Sequence, residues 1–450
     1  MKTDLRKSVV YQIYPRTLTA QGTIKAATEL IVHFSRLGVD ILYMSAVNTE
    51  DDSFENQSPR QLASGMNNPK NPYRIKDYFS VDEEFGTMDD LKEFVDVAHT
   101  YGMKVICDLV YLHCSAHAVF IEDHPDFVLR DENNNVKIGE NWPFARLKYN
   151  SAELCEYMWS NMEFFIRDIG ADGFRCDVGD DIPYDFWEEG INRIKKINPD
   201  VIMINEGGKV DYLNIFDVNY NFDFIFTMLR AFACEKNSGK VDTKICMPEN
   251  RGKLTAVDIR NKLDKIHEAF PKGKLTLGNS ENHDTASDFV EERIESFIGS
   301  DGMEALLILH FTIDCRPMIY NGCEVADKSL KSMFWNRFCS GCMSVDWQNL
   351  LTKEGKHRYE FLKELIWLHR HNEALGEGSF TWIENDSPES VLSYKRESEN
   401  ESVSVVINIS AKTQIVTLDS EIGDNAILSK NVSSSKNKLT MLPYGYIITK

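Results

Sequence analysis

Apolar positions along the chain come in two alternating kinds of run. Short β-branched and aromatic runs, such as Val105-Ile106-Cys107 and Val201-Ile202-Met203-Ile204, are bounded by turn or charged residues and read as buried strands. Longer stretches between them carry apolar residues at helical spacing. Read in order, the pattern predicts a strand over 8–15 ended by Pro15, a helix over about 23–37 closed by Gly38, and a strand over 39–47. A polar, Asn/Pro-rich loop at 48–72 precedes a helix over 88–101 and a strand over 104–110. The stretch 111–150 is irregular and polar, of the kind that carries function. A helix over 151–169 leads into a strand at 173–178, a helix over 184–197 into a strand at 201–206. An aromatic-rich strand and loop at 216–226 and strands at 274–278 and 316–320 follow. About eight strands, each followed by a helix-like run, predict an α/β fold of the (β/α)₈ TIM-barrel type.

After about residue 375 the pattern changes to period-two alternation without helices, over 390–395, 402–408, 413–418 and 445–449. That predicts a C-terminal antiparallel β-sandwich. The expected domains are a catalytic barrel over 1–375, with 111–150 as a reduced inserted region, and a sandwich over 376–450.

Composition narrows the partners. A net charge of −20 and the lack of any Lys/Arg-rich run argue against nucleic acid or an anionic membrane. No apolar run approaches the roughly 18 residues of a membrane helix. The opening Met1–Lys7 has no apolar core of the secretory kind. The 10 cysteines show no tandem zinc spacing; Cys339 and Cys342 form one pair in a late loop, and Cys107 and Cys176 read as small core residues. A cytoplasmic protein is expected.

Several predicted strands end on groups that a core does not choose: Asp108, the pair Arg175 and Asp177, Glu206, and the cluster Glu281-Asn282-His283-Asp284. Arg175 and Asp177 are two apart on one pleat, so they face the same way. Alone, that pair is equally a structural ion pair or part of a site. In a (β/α)₈ barrel the carboxyl ends of all strands open onto one face, which gathers these residues into one pocket. Carboxylates with an Arg and a His, without His-x-His or His-Glu-x-x-His spacing, suit acid/base and covalent chemistry on a sugar acetal. In a retaining glycosidase two such carboxyls stand about 5–5.5 Å apart.

The motifs resemble those of glycoside hydrolase family 13, the α-amylase family. They are Val10-Tyr11-Gln12-Ile13-Tyr14-Pro15-Arg16, Tyr73-Arg74-Ile75-Lys76-Asp77-Tyr78, Asp108-Leu109-Val110-Tyr111-Leu112-His113, Gly173-Phe174-Arg175-Cys176-Asp177, Glu206, Asn282-His283-Asp284 and Pro317-Met318-Ile319-Tyr320-Asn321-Gly322. The resemblance covers about residues 8–370. It implies that Asp177 is the nucleophile, Glu206 the general acid/base, and Asp284 a group that binds sugar hydroxyls and favours the distorted ring. It further implies that Arg175 orients Asp177, that His113 and His283 hydrogen-bond the sugar, and that Asp108 braces Arg175 from behind. Tyr73 is expected to stack on the sugar ring, the other reading being a loop-core tyrosine.

Departures from the family pattern concern specificity. Leu112 stands where an Asn that ligates a structural calcium is usual, so no metal site of that kind is expected, and the chemistry itself needs no cofactor. Gly179-Asp180-Asp181 replaces a Lys-His pair common on the leaving-group side; the two acids read as loop acids or as a cap before Pro183. Arg74 follows Tyr73 where exo-acting α-glucosidases usually have Asp. Trp142 and Phe144 are either cleft aromatics or a covering cluster. The resemblance thus implies a retaining α-glycoside hydrolase acting on α-1,4-glucans or maltooligosaccharides. Its alternatives are a transglycosylase of the same family and, in another class, a non-catalytic sugar-binding or transporter-associated subunit. The oligomeric state is not legible.

Overall fold

The structure, a computed structural model, describes residues 4–140, 142–236, 254–287 and 292–450. Eight strands close into a barrel in chain order: β1 (Val10–Ile13), β2 (Ile41–Met44), β3 (Lys104–Leu109), β4 (Gly173–Cys176), β5 (Ile202–Asn205), β6 (Val218–Asn219), β7 (Leu275–Asn279) and β8 (Arg316–Tyr320). The chain divides into two compact units. One holds residues 10–220 and 331–345, the other residues 4–9, 221–330 and 346–450.

In the first unit, parallel pairing sets Asp108 of β3 beside Arg175 of β4, and Arg175 beside Ile204 of β5. Gly173 is what lets β4 and β5 run so close. Its φ is 153°, and a Cβ there would lie 2.0 Å from the Ile202 carbonyl oxygen. Helix α1 (Met88–Thr100) starts on a capping box between Thr87 and Asp90 and buries Leu91, Phe94, Val95 and Ala98, the apolar stripe its spacing dictates. Helix α2 (Ala152–Phe164), capped by Ser151, widens into a single π-turn over Phe165–Ile169 before Gly170 ends it at φ 81°. Helix α3 (Tyr184–Ile197) follows β4.

The sequence reading is corrected in three places here. The expected helix over 23–37 is two, Ile24–Glu29 and Ile31–Leu37, meeting at Leu30. The stretch 111–150 is not wholly irregular: His113–Cys114 pairs with Ala145–Arg146 as a short antiparallel ladder. The aromatic run at 216–226 supplies only the two residues of β6, because Asn221 turns at φ 50° and the helix starting at Phe222 claims the rest.

The second unit contains β7 and β8, paired Gly278 to Pro317, and helices α4 (Phe222–Lys236), α5 (Ala256–Ala269), α6 (Ile294–Thr312) and α7 (Lys353–His371). It ends in six antiparallel strands: β9 (Ser379–Trp382), β10 (Val391–Glu397), β11 (Ser402–Asn408), β12 (Gln414–Thr417), β13 (Ala426–Ser435) and β14 (Lys438–Thr449). These are hydrogen-bonded into one sheet. β14 pairs its first half with β12 and its second with β11, and between the halves Tyr444 turns at φ 55°. Residues from both sides of that turn, Leu439 and Met441 with Val391, Val406 and Ile447, share one apolar cluster. The sandwich-like core is therefore built from a folded-over sheet.

Candidate active site

Asp177 and Glu206 each stand one residue past a barrel strand, and the main-chain ladder still holds them. The Asp177 N–H donates to the Leu109 carbonyl at 2.9 Å, and the Glu206 N–H to the Cys176 carbonyl at 3.0 Å. Between them Arg175 is fully buried. Its Nη1 donates to Asp108 Oδ1 and to Asp177 Oδ1, both at 2.8 Å, and its Nη2 pairs with Glu206 Oε1. Burial alone would lower the guanidinium's pKa, but Asp108 and Glu206 more than offset this and raise it well above its ordinary range. One cation therefore serves three carboxylates, arranged by a forked geometry that lysine cannot reproduce.

Asp108 is braced in turn. Its Oδ2 accepts from Tyr43 at 2.8 Å and from Tyr73 at 3.3 Å. Burial pushes both phenols far up, so they remain neutral donors. Tyr220, just past β6, lies under the Arg175 guanidinium, with 5.4 Å from the central carbon to its ring centroid. His113 stacks on Phe144 with 4.3 Å between centroids, and Trp142 continues the stack at 6.0 Å. Phe144 is buried and Trp142 is 45% exposed. Burial lowers the His113 pKa to about 4, against a hydrogen bond to the Tyr73 main chain, and its buried Nε2 has no hydrogen-bond partner among the described residues. A neutral imidazole with one unused nitrogen is a ready partner for a hydroxyl.

The structure therefore brings together Asp108, Arg175, Asp177, Glu206 and Tyr73, with His113 tied to Tyr73. His283 and Asp284 belong to the second unit, immediately after β7. There Asn282 builds the turn, its Oδ1 accepting from the N–H groups of Asp284 and Thr285 at 2.9 Å each. His283 Nε2 lies 3.5 Å from Asp284 Oδ2. Glu281 is spoken for by Arg293 in a forked pair of 2.9 and 2.6 Å, which makes it structural.

Asp180 is neither an idle loop acid nor a cap for α3. Its Oδ2 accepts from the N–H groups of Gly208 and Lys209 at 2.7 and 2.9 Å, while Lys209 Nζ donates to its main-chain oxygen at 2.6 Å. Arg74 turns away from Tyr73. Its guanidinium donates to the carbonyls of Asp51, Ser53, Glu55 and Pro69 at 2.5–3.0 Å. Leu112 does not fit a calcium site, since its side chain has no oxygen and its carbonyl accepts the Leu147 N–H at 3.1 Å. Among the described residues no group of three or more His, Cys, Asp or Glu is placed to hold a metal ion.

Sequence reasoning missed Tyr43, Tyr220 and Val178. The tyrosines lie in apolar runs where a phenol looks like core. Val178 gave no signal, because a β-branched residue is not expected where it sits, at φ 44° and ψ 40°.

The family described as alpha amylase, catalytic domain, matches the chain over residues 12–136 and 141–387. The chain belongs to the α-amylase family, glycoside hydrolase family 13, and so to the glycosidases. It is 24% identical to a cyclomaltodextrinase of Thermoanaerobacter pseudethanolicus, covering 95% of this chain and 71% of that protein. It is also 24% identical to one from a Bacillus species, covering 86% and 65%. The chain thus spans about two thirds of the length of these relatives. The fold matches that of a maltogenic α-amylase from Thermotoga neapolitana over the whole of both chains, with a TM-score of 0.79 and 23% identity. No described helix of this family member is long and apolar enough to cross a membrane.

Proposed function

We propose that this member of the α-amylase family is a retaining glycosidase acting on α-1,4-linked glucans or maltooligosaccharides. The observation that carries the reading is the single buried Arg175 shared by Asp108, Asp177 and Glu206. Asp177, ionised beside the guanidinium, attacks the anomeric carbon as Glu206 gives its proton to the departing glycosidic oxygen. A glycosyl ester on Asp177 forms as the glycosidic bond breaks. Glu206, now a carboxylate, takes a proton from water, whose oxygen attacks the anomeric carbon and releases Asp177. Asp284 and His283 bind hydroxyls of the sugar undergoing cleavage, His113 offers its unused Nε2, and Tyr73 contributes its ring. Asp108 holds Arg175 in place. The reaction runs without a cofactor or a structural calcium, on a catalytic barrel over 1–375 that carries the reduced inserted region 111–150, with 376–450 as a C-terminal β-sandwich.

Maltoheptaose tests this reading. Hydrolysis gives glucose and short maltooligosaccharides with the α-anomer formed first, and Asp177→Asn reduces turnover to background while the protein stays folded. Products longer than the substrate would assign the activity to a transglycosylase instead. Full activity in Asp177→Asn would overturn the site.

A further inference from the structure

We propose that Val178 is a positioning residue whose main-chain N–H, one residue past Asp177, holds and tunes the Glu206 carboxyl. The proposal rests on Asp177 and Glu206 being nucleophile and acid/base. Val178 lies at φ 44°, in a region that β-branched residues avoid, and strain of this kind persists only where the surroundings impose it. The Val178 N–H donates to Glu206 Oε2 at 2.8 Å, and the Val178 carbonyl accepts from Asp181 at 3.0 Å. Glu206 is thus tied on both sides of Asp177, by its main chain to Cys176 and by its side chain to Val178. The left-handed main chain of Val178 carries the strand end into the Gly179–Asp181 turn just after that N–H.

The consequence concerns the proton that Glu206 must carry. Facing it are Arg175 and Asp177 from the end of β4, Asp108 and Tyr43 behind Arg175, and Tyr220 from the end of β6. The Arg175 guanidinium and the Val178 N–H favour the carboxylate; the neighbouring carboxylates favour the acid. Arg175 divides its charge among three partners, whereas the Val178 N–H is directed at Glu206. The alkaline limb of the pH–rate profile is therefore set in part by a main-chain group.

The test replaces the Val178 N–H by oxygen, an amide-to-ester exchange in the 177–178 linkage, and reads kcat/KM against pH on a maltooligosaccharide. Loss of one hydrogen bond to a charged group should move the alkaline limb up by about one pH unit. An unmoved limb would overturn the proposal. Retained turnover in Asp177→Asn or Glu206→Gln would instead count against the catalytic reading, so the two fail separately.

Discussion

Asn205 donates through Nδ2 to Asp180 Oδ1 at 2.9 Å, so the last residue of β5 is tied to the turn that follows Asp177. The other Asp180 oxygen takes the N–H groups of Gly208 and Lys209. One aspartate therefore clamps both flanks of Glu206. With Glu206 as the proposed proton donor, Asp180→Ala should lower kcat about tenfold or more with little change in KM, because the clamp would then orient that donor and not the bound sugar. A selective rise in KM at unchanged kcat would show that Asp180 serves binding.

Arg175→Lys tests the sharing of one cation by three acids. A lysine cannot contact Asp108, Asp177 and Glu206 together. Leaving buried carboxylates poorly paired costs about 3–5 kcal/mol, so a lower Tm is expected beside a loss of at least about a hundredfold in kcat/KM. Near-native stability would mean that the guanidinium matters for catalysis alone.

Glu50 should make stability fall as pH rises. It lies buried with Arg16, Glu84, Asp82 and Lys70, three carboxylates against two cations. Burial, with Asp82 and Glu84 acting against the pull of Arg16, raises its pKa to about 8 from an ordinary 4.5. The folded state therefore holds a proton that the unfolded chain gives up, and the stability this brings is complete below about pH 4.5 and lost as pH rises through about 8. Glu50→Gln mimics the protonated form. It should leave stability at pH 6 nearly unchanged and make the protein more stable than the native one at pH 9. Parallel denaturation curves at both pH values would refute this.

His113 has the opposite sign. Its pKa is lowered to about 4 from 6.5, so the unfolded chain binds the extra proton, and stability is lost as pH falls from about 6.5 to 4. His113→Gln should flatten that part of the stability profile by an amount on the order of 1–3 kcal/mol. An unchanged acid slope would mean that the imidazole is protonated in place.

Leu112 predicts indifference to calcium. Dialysis against a strong chelator should change neither Tm nor turnover; a drop in Tm that added calcium restores would locate a site built without this position.

Most of the site was legible because charge interrupts apolar runs. Asp108, Arg175, Asp177 and Glu206 stand out at strand ends where burial without a partner would be costly, and the structure pairs all four. What stayed hidden is where one residue does work that its type does not advertise. Tyr43 looks like any strand aromatic until its hydroxyl is seen on Asp108. Asp180 has the same composition as Asp181 but alone reaches the next loop. In the fold, the aromatic density at 216–226 reads as strand because phenylalanine and tyrosine favour strands, whereas tertiary context makes 222–226 helix. The break at Leu30 has no marker of the glycine or proline kind.

The Arg74 guanidinium, with four main-chain carbonyls of the 51–69 loop on it, has one more consequence. Such a loop has already surrendered its conformational entropy before any ligand arrives. Under the proposed function, a sugar settling beside Tyr73 would meet a pre-ordered wall and incur little ordering cost there.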